Sequence, residues 1–149
     1  MAYCRWLAEA AGKSYNLPSE AEWEKAARRT DGRIFLWGDA FDKSKCNAKA
    51  SGIGETTPVD RYPQGASPYG VLDMAGNVWE WTRIQWKSYP YDPADGREDV
   101  VVSVRRVVRG GAFYGNGRLV RCAVRAGGHP YYDLWNAGFR VVAAAPIRL

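Results

Sequence analysis

The sequence predicts a single α+β domain with two N-terminal helices, short antiparallel strands and much irregular backbone. Helical periodicity is confined to residues 1–32, whereas from residue 34 periodic runs are few and Gly, Pro, Asp, Asn and Ser are frequent. The 149 residues are about one domain's worth and include 16 Gly, 8 Pro, seven Trp and nine Tyr. Such a composition indicates a loop-rich fold in which large side chains hold irregular backbone in place.

Two amphipathic helices are predicted at the start of the chain. In the first, four apolar residues follow helical spacing: Tyr3, Trp6, Leu7 and Ala10. Gly12 is the expected end of this helix. The second helix begins after Ser19, which can cap it, and Glu22 three residues later completes a capping box. Asp31 and Gly32 are expected to end it.

The rest of the chain is predicted as short strands separated by turns. Residues 34–69 are turn-rich, residues 78–81 alternate as a strand, and residues 87–99 form a polar surface loop. Further strands are expected over 100–108 and 138–142. The core is expected to be built from the early tryptophans together with two phenylalanines: Trp6, Trp23, Trp37, Trp79, Trp81, Phe113 and Phe139.

Five segments of the sequence, at 17–24, 36–39, 73–82, 108–111 and 138–142, include the motifs Gly-Asn-Val-Trp-Glu-Trp, Arg-Gly-Gly and Gly-Phe-Arg. In this order and spacing they resemble the formylglycine-generating enzyme family, also called the sulfatase-modifying-factor domain. The resemblance covers almost the whole chain, so residues 1–149 are expected to be one domain. It implies the C-type-lectin-like fold of that family.

The cysteine pattern argues against the family's oxidase chemistry. The active enzymes of the family that this chain resembles carry two cysteines soon after the Gly-Gly pair. The thiolates of these two cysteines are soft ligands and bind copper. Here residues 112–117 contain no cysteine, and Cys122 falls in a stretch that matches a non-catalytic part of the family. His129 is the single histidine. We therefore expect no copper and no enzymatic activity. The alternative is a catalytic or accessory domain that has lost the copper-binding cysteines.

The last 40 residues lack four residue types completely. Lys, Glu, Gln and Met total 17 in residues 1–109 and are absent from residues 110–149. All codons of these four residues end in a purine. Strands and turns disfavour Lys and Glu, which leaves a structural explanation open. The pattern resembles the variable region of a diversity-generating retroelement, in which adenines of a template are randomised and asparagine codons are often replaced.

This second resemblance implies a variable region over about 110–142 on a fixed framework. The framework positions are Arg109, Gly110, Gly111, Arg118, Arg121, Arg125, Pro130, Gly138, Phe139 and Arg140. The expected ligand-binding positions lie between them: Tyr114, Gly115, Asn116, Leu119, Val120, Val124, Ala126, Gly127, Gly128, His129, Tyr131, Tyr132, Asp133, Leu134, Trp135 and Asn136. Trp135 departs from the codon pattern. Tyr, Trp, Gly and Asn are the residues that antibody binding sites also favour.

A calcium site is implied by the family resemblance. Asp73 and Glu80 match its side-chain ligands, and Gly76 and Val78 match its backbone ligands; such oxygen donors suit Ca²⁺. The alternative is that Asp73 caps a turn and Glu80 pairs with a framework arginine. The four tail arginines that can bind an anion are Arg118, Arg121, Arg125 and Arg140. Because all are framework positions, structural pairing is their expected role.

The expected partner is a protein or glycan on another cell or particle. Nucleic acid is not expected, because the tail arginines are spaced singly and no lysine accompanies them. Membrane insertion is not expected, since no run of about 18 apolar residues occurs. The start of the chain has no secretory signal pattern. The location therefore stays open between the cytoplasm and display on a cell or virus particle through other segments. A monomer is expected.

Overall fold

The computed structural model describes residues 1–92, 94–131 and 135–143. It contains two helices and six short strands: α1 (Ala2–Ala11), β1 (Tyr15–Asn16), α2 (Glu20–Arg28), β2 (Trp79–Gln85), β3 (Arg106–Arg109), β4 (Arg125–Gly128), β5 (Ala137–Phe139) and β6 (Val142–Ala143). The α+β prediction is confirmed. No helix among the described residues is both long and apolar enough to cross a bilayer.

Helix α1 has the predicted position but not the predicted role. It ends where expected, because Gly12 adopts the left-handed conformation with φ 62°. Its apolar stripe is not core, however, since Trp6 is 57% exposed and only Cys4 is buried. Phe139, also expected in the core, is 49% exposed and packs its ring against that of Tyr3. Both core predictions are wrong, because these rings contact each other along α1 rather than the interior.

Helix α2 begins with the predicted capping box. The Ser19 hydroxyl accepts a hydrogen bond from the Glu22 amide at 3.1 Å, and the Glu22 carboxylate accepts one from the Ser19 amide at 2.7 Å. The helix ends at Arg28, three residues before the predicted Asp31, because Arg29 leaves the helical conformation with φ 57°. Its buried Trp23 carries the helix into the main core.

The segment 34–69 differs from the prediction of short strands. It contains three 3₁₀ turns, at Lys43–Lys45, Lys49–Ser51 and Pro63–Gly65. Isolated β-bridges take the place of the predicted strands. Two buried asparagines supply hydrogen bonds that a strand ladder would otherwise make. Asn47 donates to the Glu55 carbonyl at 2.8 Å, and Asn77 donates to the Thr57 carbonyl at 3.1 Å. Side-chain bonding to the backbone thus replaces strand pairing here.

A four-stranded sheet with the order β4-β3-β2-β5 supports the second half of the chain. Strand β3 is antiparallel to β2 and β4, whereas β5 runs parallel to β2; β1 and β6 form a separate antiparallel pair. The strand predicted over 100–108 begins only at Arg106, because residues 100–102 are exposed. The strand predicted over 138–142 is divided between β5 and β6.

The main core lies between α2, the irregular middle segment and the start of the tail. Its buried residues are Trp23, Ala27, Phe35, Leu36, Cys46, Ala48, Met74, Ala75, Val120 and Cys122. A smaller cluster of Trp79, Val108 and Ala112 is covered by half-buried apolar residues, among them Val124, just before β4, and Ala126 within it. Both clusters include residues from the tail, so the tail contributes to the interior as well as to the surface.

Candidate binding face

Three aromatic rings of the tail form one cluster at the surface. Trp135 lies 5.5 Å, centroid to centroid, from both Phe113 and Tyr114, and the latter two meet edge to face at 5.7 Å. Phe113 is buried, Tyr114 is 42% exposed and Trp135 is 71% exposed. We call Phe113, Tyr114 and Trp135 the aromatic cluster. Edge-to-face and tilted contacts between such rings are favourable beyond the area that they bury.

The aromatic cluster is attached to the sheet by specific hydrogen bonds. The Tyr114 hydroxyl accepts one from Asn136 Nδ2 at 2.6 Å and a longer one from Trp79 Nε1 at 3.3 Å. The Phe113 amide donates to the Asn77 carbonyl at 2.9 Å. One exposed ring is therefore held by a residue of β2 and by the residue that precedes β5. The cluster presents a defined surface rather than loose side chains.

The turn that follows Tyr114 lies against the irregular middle segment. The Gly115 carbonyl accepts a hydrogen bond from the Lys49 amide at 2.9 Å. A Cβ atom added at Gly117 would lie only 2.9 Å from the Phe41 ring, so Phe41 packs directly on this turn. Phe41 also lines a pocket of about 560 Å³ formed by residues 37–45. Phe41 and Lys49 were not predicted as site residues, because only the fold brings segment 41–49 next to the tail.

The framework arginine Arg109 is fully buried beneath this region. Its guanidinium donates to Glu20 at 3.0 Å, to Glu24 at 2.5 Å and to the Cys122 carbonyl at 2.8 Å, and it lies over the Trp23 ring. A buried guanidinium is tolerated only with such partners. Arg109 therefore ties the start of the tail to α2.

Arg125 makes a second tie to α2. It donates two hydrogen bonds to the Glu20 carboxylate and one to the Lys87 carbonyl. The expectation of structural pairing thus agrees with the geometry at Arg125. It does not agree at Arg118 and Arg121, which are exposed and, among the described residues, have no carboxylate within ion-pair distance.

The implied calcium ligands are engaged in an ion pair. Both Glu80 oxygens accept hydrogen bonds from the Arg140 guanidinium, and one also accepts from Trp23 Nε1 at 2.6 Å. Asp73 accepts from Asn77 at 2.7 Å, and burial raises the pKa of Asp73 to about 6. The Arg140 guanidinium, which holds both Glu80 oxygens, competes with a divalent cation for that carboxylate. Across the described ranges, no group of three or more His, Cys, Asp or Glu side chains is close enough to hold a metal. The arrangement does not fit calcium as it stands.

The expected ligand-binding positions divide by exposure. The exposed ones are Tyr114, Asn116, Leu119, Tyr131 and Trp135. The half-buried ones are Val124, Ala126, Gly127, His129 and Asn136. The buried ones are Gly115, Val120 and Gly128. Tyr132, Asp133 and Leu134 lie outside the described residues.

Three of these positions cannot contact a ligand, and their prediction is corrected. Val120 is 0% exposed and belongs to the main core. Gly115 lies beneath the turn, with its position close to the Ala112 carbonyl and the Leu119 side chain. Gly128 lies against Trp81, whose ring is 2.4 Å from a Cβ built there. The composition of the tail does not distinguish exposed from buried positions. In the folded chain the backbone directs these three residues toward the interior.

The three cysteines are buried free thiols. Burial raises the pKa of Cys122 to about 11 and that of Cys46 to about 12, so both remain protonated at neutral pH. The turn that follows Gly111 presents the aromatic cluster at its surface. In this part of the chain the accessible side chains are aromatic, amide and basic ones, whereas the Cys122 thiol is buried.

A second exposed apolar surface lies along α1. A groove of about 330 Å³ is lined there by residues that include Tyr3, Val101 and Phe139. Trp6 and Tyr3 on this surface are about as exposed as Trp135 and Tyr114. This surface therefore offers matched aromatic positions for testing the aromatic cluster.

Comparison with known proteins identifies relatives among both active and inactive enzymes. The chain is 32% identical to formylglycine-generating enzyme of Mus musculus over 168 residues, which cover 96% of this chain and 41% of that protein. It is 31% identical to inactive C-alpha-formylglycine-generating enzyme 2 of Bos taurus over 160 residues, 97% of this chain and 47% of that protein. The chain thus spans less than half the length of these relatives.

Two solved structures share the fold. PvdO from Pseudomonas aeruginosa superposes with a TM-score of 0.82 at 28% identity, covering 97% of this chain and 58% of that one. Treponema denticola variable protein 1 superposes with a TM-score of 0.74 at 27% identity, covering 90% and 49%. The model of the sulfatase-modifying factor enzyme 1-like domain matches residues 1–145. The chain therefore belongs to the sulfatase-modifying factor enzyme 1-like family, with its C-type-lectin-like fold.

Proposed function

We propose that this chain is a non-enzymatic, receptor-like binding domain whose tail carries the ligand-binding surface. One observation carries the proposal: buried or ion-paired framework arginines alternate with exposed side chains in the same segment. Arg109, Arg125 and Arg140 bind carboxylates inside the fold, while Tyr114 and Trp135 lie at the surface. Residues on a surface that varies must not be needed for the stability of the core. The separation of the ion-paired arginines from the exposed rings meets this condition.

The exposed residues are of the kinds that dominate protein recognition. Tyr and Trp supply large contact area with few rotatable bonds. Tyr131 is 75% exposed and stacks on His129 at 5.1 Å, which extends the aromatic surface beyond the aromatic cluster. Asn116 adds an exposed amide. The ligand proposed for this surface is a protein or a glycan, with contact made by shape and aromatic side chains.

We further propose that a retroelement diversifies this surface. The absence of Lys, Glu, Gln and Met from residues 110–149 supports this, as does the likeness to a variable protein. The test is to sequence the DNA around the gene and amplicons of the gene from its source population. A near-identical repeat with asparagine codons at the exposed positions, beside a reverse transcriptase gene, is the expected result.

The same amplicons test the division between surface and core. Codons for Tyr114, Leu119 and Tyr131 are expected to vary between molecules, whereas that for Arg109 stays fixed and Val120 changes only to other small apolar residues. Variation spread evenly over residues 1–149, or confined to third codon positions, would contradict the proposal.

The second candidate is a catalytic or accessory domain with formylglycine-generating-enzyme-like ancestry. The 32% identity to the mouse enzyme favours it. Its test is to add Cu(I) to the purified chain and to assay oxidation of a cysteine-containing peptide. Stoichiometric copper binding with turnover would replace the binding proposal. Neither is expected, because all three thiols are buried and burial keeps those of Cys46 and Cys122 protonated.

A binding assay tests the surface without knowledge of the natural ligand. Peptides are selected from a phage-displayed random library on the purified chain, and each is measured against two double variants. Tyr114→Ala/Trp135→Ala removes the exposed rings of the aromatic cluster; Tyr3→Ala/Trp6→Ala removes equally exposed rings along α1. Selected peptides are expected to lose affinity at least about tenfold in the first variant only. Peptides that depend on the α1 rings instead would overturn the proposed surface.

A further inference from the structure

Exposed basic residues lie in the two segments that meet at the turn beside the aromatic cluster. Lys43, Lys49, Arg118 and Arg121 are exposed, and we call these four residues the basic rim. Within the described part of the chain, none of them has a carboxylate within 4.0 Å. They differ in this from Arg109, Arg125 and Arg140, whose charges are neutralised inside the fold.

Contacts between backbone and rings place the basic rim beside the exposed aromatic side chains. The Lys49 amide binds the carbonyl of Gly115, the residue after Tyr114. Arg118 follows Gly117, on which the Phe41 ring packs, and Arg121 Nε donates to the Arg118 carbonyl at 2.9 Å. Lys43 begins the 3₁₀ turn just after Phe41. The four cations therefore border one surface that comes from two distant parts of the chain.

Two described carboxylates, those of Asp39 and Asp42, lie in the segment that packs on the tail. Asp42 accepts hydrogen bonds from the Ser44 amide and hydroxyl, which lower its pKa, and lies 3.7 Å from Lys45. Asp39 accepts a hydrogen bond from the Ile34 amide at 3.0 Å. Among the described residues, these two carboxylates are outnumbered by the four cations of the basic rim together with Lys45, so the charge presented to a partner there is positive.

From this geometry we infer that the partner is a protein surface that carries an acidic patch beside exposed apolar side chains. The inference rests on the proposed function and specifies its ligand. Two observations favour a protein over a carbohydrate. The three rings are tilted by 39–89° to one another, which suits interdigitating side chains better than a flat sugar face. Trp, Tyr and Arg together are also the composition of protein interface centres, with charge at the edge.

Opposite charges across such an edge steer association and select partners. Because the basic rim is exposed, its effect is screened by salt with a Debye length of about 10 Å at 0.1 M. Affinity for an acidic partner should therefore fall as the salt concentration rises. An aromatic contact without charge complementarity would not show this dependence.

The probe is the set of phage-selected peptides described above, synthesised and measured by fluorescence anisotropy. The rim variant replaces Lys43, Lys49, Arg118 and Arg121 by Gln. A matched control replaces four exposed cations elsewhere by Gln and has the same net charge: Arg5, Lys13, Lys25 and Arg61. Both variants are required to keep the melting temperature of the parent chain. If the rim variant does not, the single variants Arg118→Gln and Lys49→Gln are used in its place.

The expected result is that selected peptides carry more Asp and Glu than Lys and Arg. Their Kd should rise at least about tenfold in the rim variant and in about 0.5 M NaCl, but stay within about twofold in the matched control. Peptides that need Tyr114 and Trp135 but are neutral or basic, or that respond equally to both charge variants, overturn the acidic partner and leave the proposed function standing.

Other outcomes are equally decisive. Peptides whose Kd is unchanged in the Tyr114→Ala/Trp135→Ala variant contradict both the proposed function and the inference. A selection that yields no binding peptide, or tighter rim-dependent binding of heparin or a single-stranded oligonucleotide, overturns the inference of a protein partner.

Discussion

Arg125 in β4 donates two hydrogen bonds, of 2.7 and 2.8 Å, to the carboxylate of Glu20 in α2. Its guanidinium also lies 4.5 Å from the Trp86 ring centroid and 4.6 Å from that of Tyr89. Forked ion pairs and cation–π contacts fix a guanidinium in orientation as well as position. The exposed part of the tail thus rests on a rigid support that it does not itself supply.

Substitutions of the tail arginines are expected to affect the free energy of unfolding unequally, because only some of these side chains support the fold. Arg109→Ala should lower the free energy of unfolding by about 3–5 kcal/mol, because it removes the fully buried guanidinium that pairs with Glu20 and Glu24 and binds the Cys122 carbonyl. Arg118→Ala should change it by no more than about 0.5 kcal/mol, since that side chain is exposed. Urea unfolding followed by circular dichroism measures both. Equal losses would show that the framework has been assigned wrongly.

Loss of single exposed rings should scarcely affect stability. Tyr114→Ala and Tyr131→Ala are each expected to change the free energy of unfolding by less than about 1 kcal/mol. Trp79→Ala should cost about 3–5 kcal/mol, because Trp79 belongs to a core cluster. Tyr132→Ala is expected to have the same small effect; Tyr132 lies outside the described residues. Tyrosine variants as unstable as Trp79→Ala would mean that these rings are structural.

Asp73 should make the protein less stable as pH rises. Burial, aided by the nearby Glu80 charge, raises the pKa of Asp73 to about 6 in the folded protein, against about 4 in the unfolded chain. Between these values the folded state binds the proton more tightly, so its contribution is fully present below about pH 4 and is lost through about pH 6. The melting temperature of Asp73→Asn minus that of the parent should therefore increase from about pH 4 to pH 7. If the difference in melting temperature does not change with pH, the pKa of Asp73 is not raised in the folded protein.

Calcium should leave the melting temperature unchanged, because Arg140 holds both oxygens of Glu80. A ligand that binds only the folded state stabilises it by about 2.7 kcal/mol at one hundred times its Kd, an effect easily seen by calorimetry. The comparison is between excess CaCl₂ and excess EDTA. A calcium-dependent rise that Asp73→Asn abolishes would restore the ligand set implied by the family resemblance and would show that Arg140 leaves Glu80.

Local sequence signals predicted local structure well. The capping box at Ser19 and Glu22 and the terminal Gly12 depend on neighbours within a few residues, and the structure confirms all three. The exposure of Trp6 and Phe139 could not be predicted in this way. A helical stripe shows that one face is apolar, but not whether another element covers it.

The candidate site was predictable only in part, for a similar reason. The composition of the tail indicated a surface rich in aromatic and small residues, and Tyr114 and Trp135 lie there. It could not separate Val120 from its exposed neighbours, because that depends on how the turn packs against Trp23 and Leu36. Phe41 joins the site through a contact 76 positions away along the chain, at Gly117, which no local pattern reveals.

A saturation mutagenesis scan of residues 110–143, scored for folding by protease resistance, tests the central claim most directly. Tyr114, Leu119, Tyr131 and Trp135 are expected to accept most amino acids, whereas Val120, Cys122 and Arg125 accept few. If Tyr114 and Trp135 prove as intolerant as Val120, the exposed part of the tail is structural and the proposed binding surface is wrong.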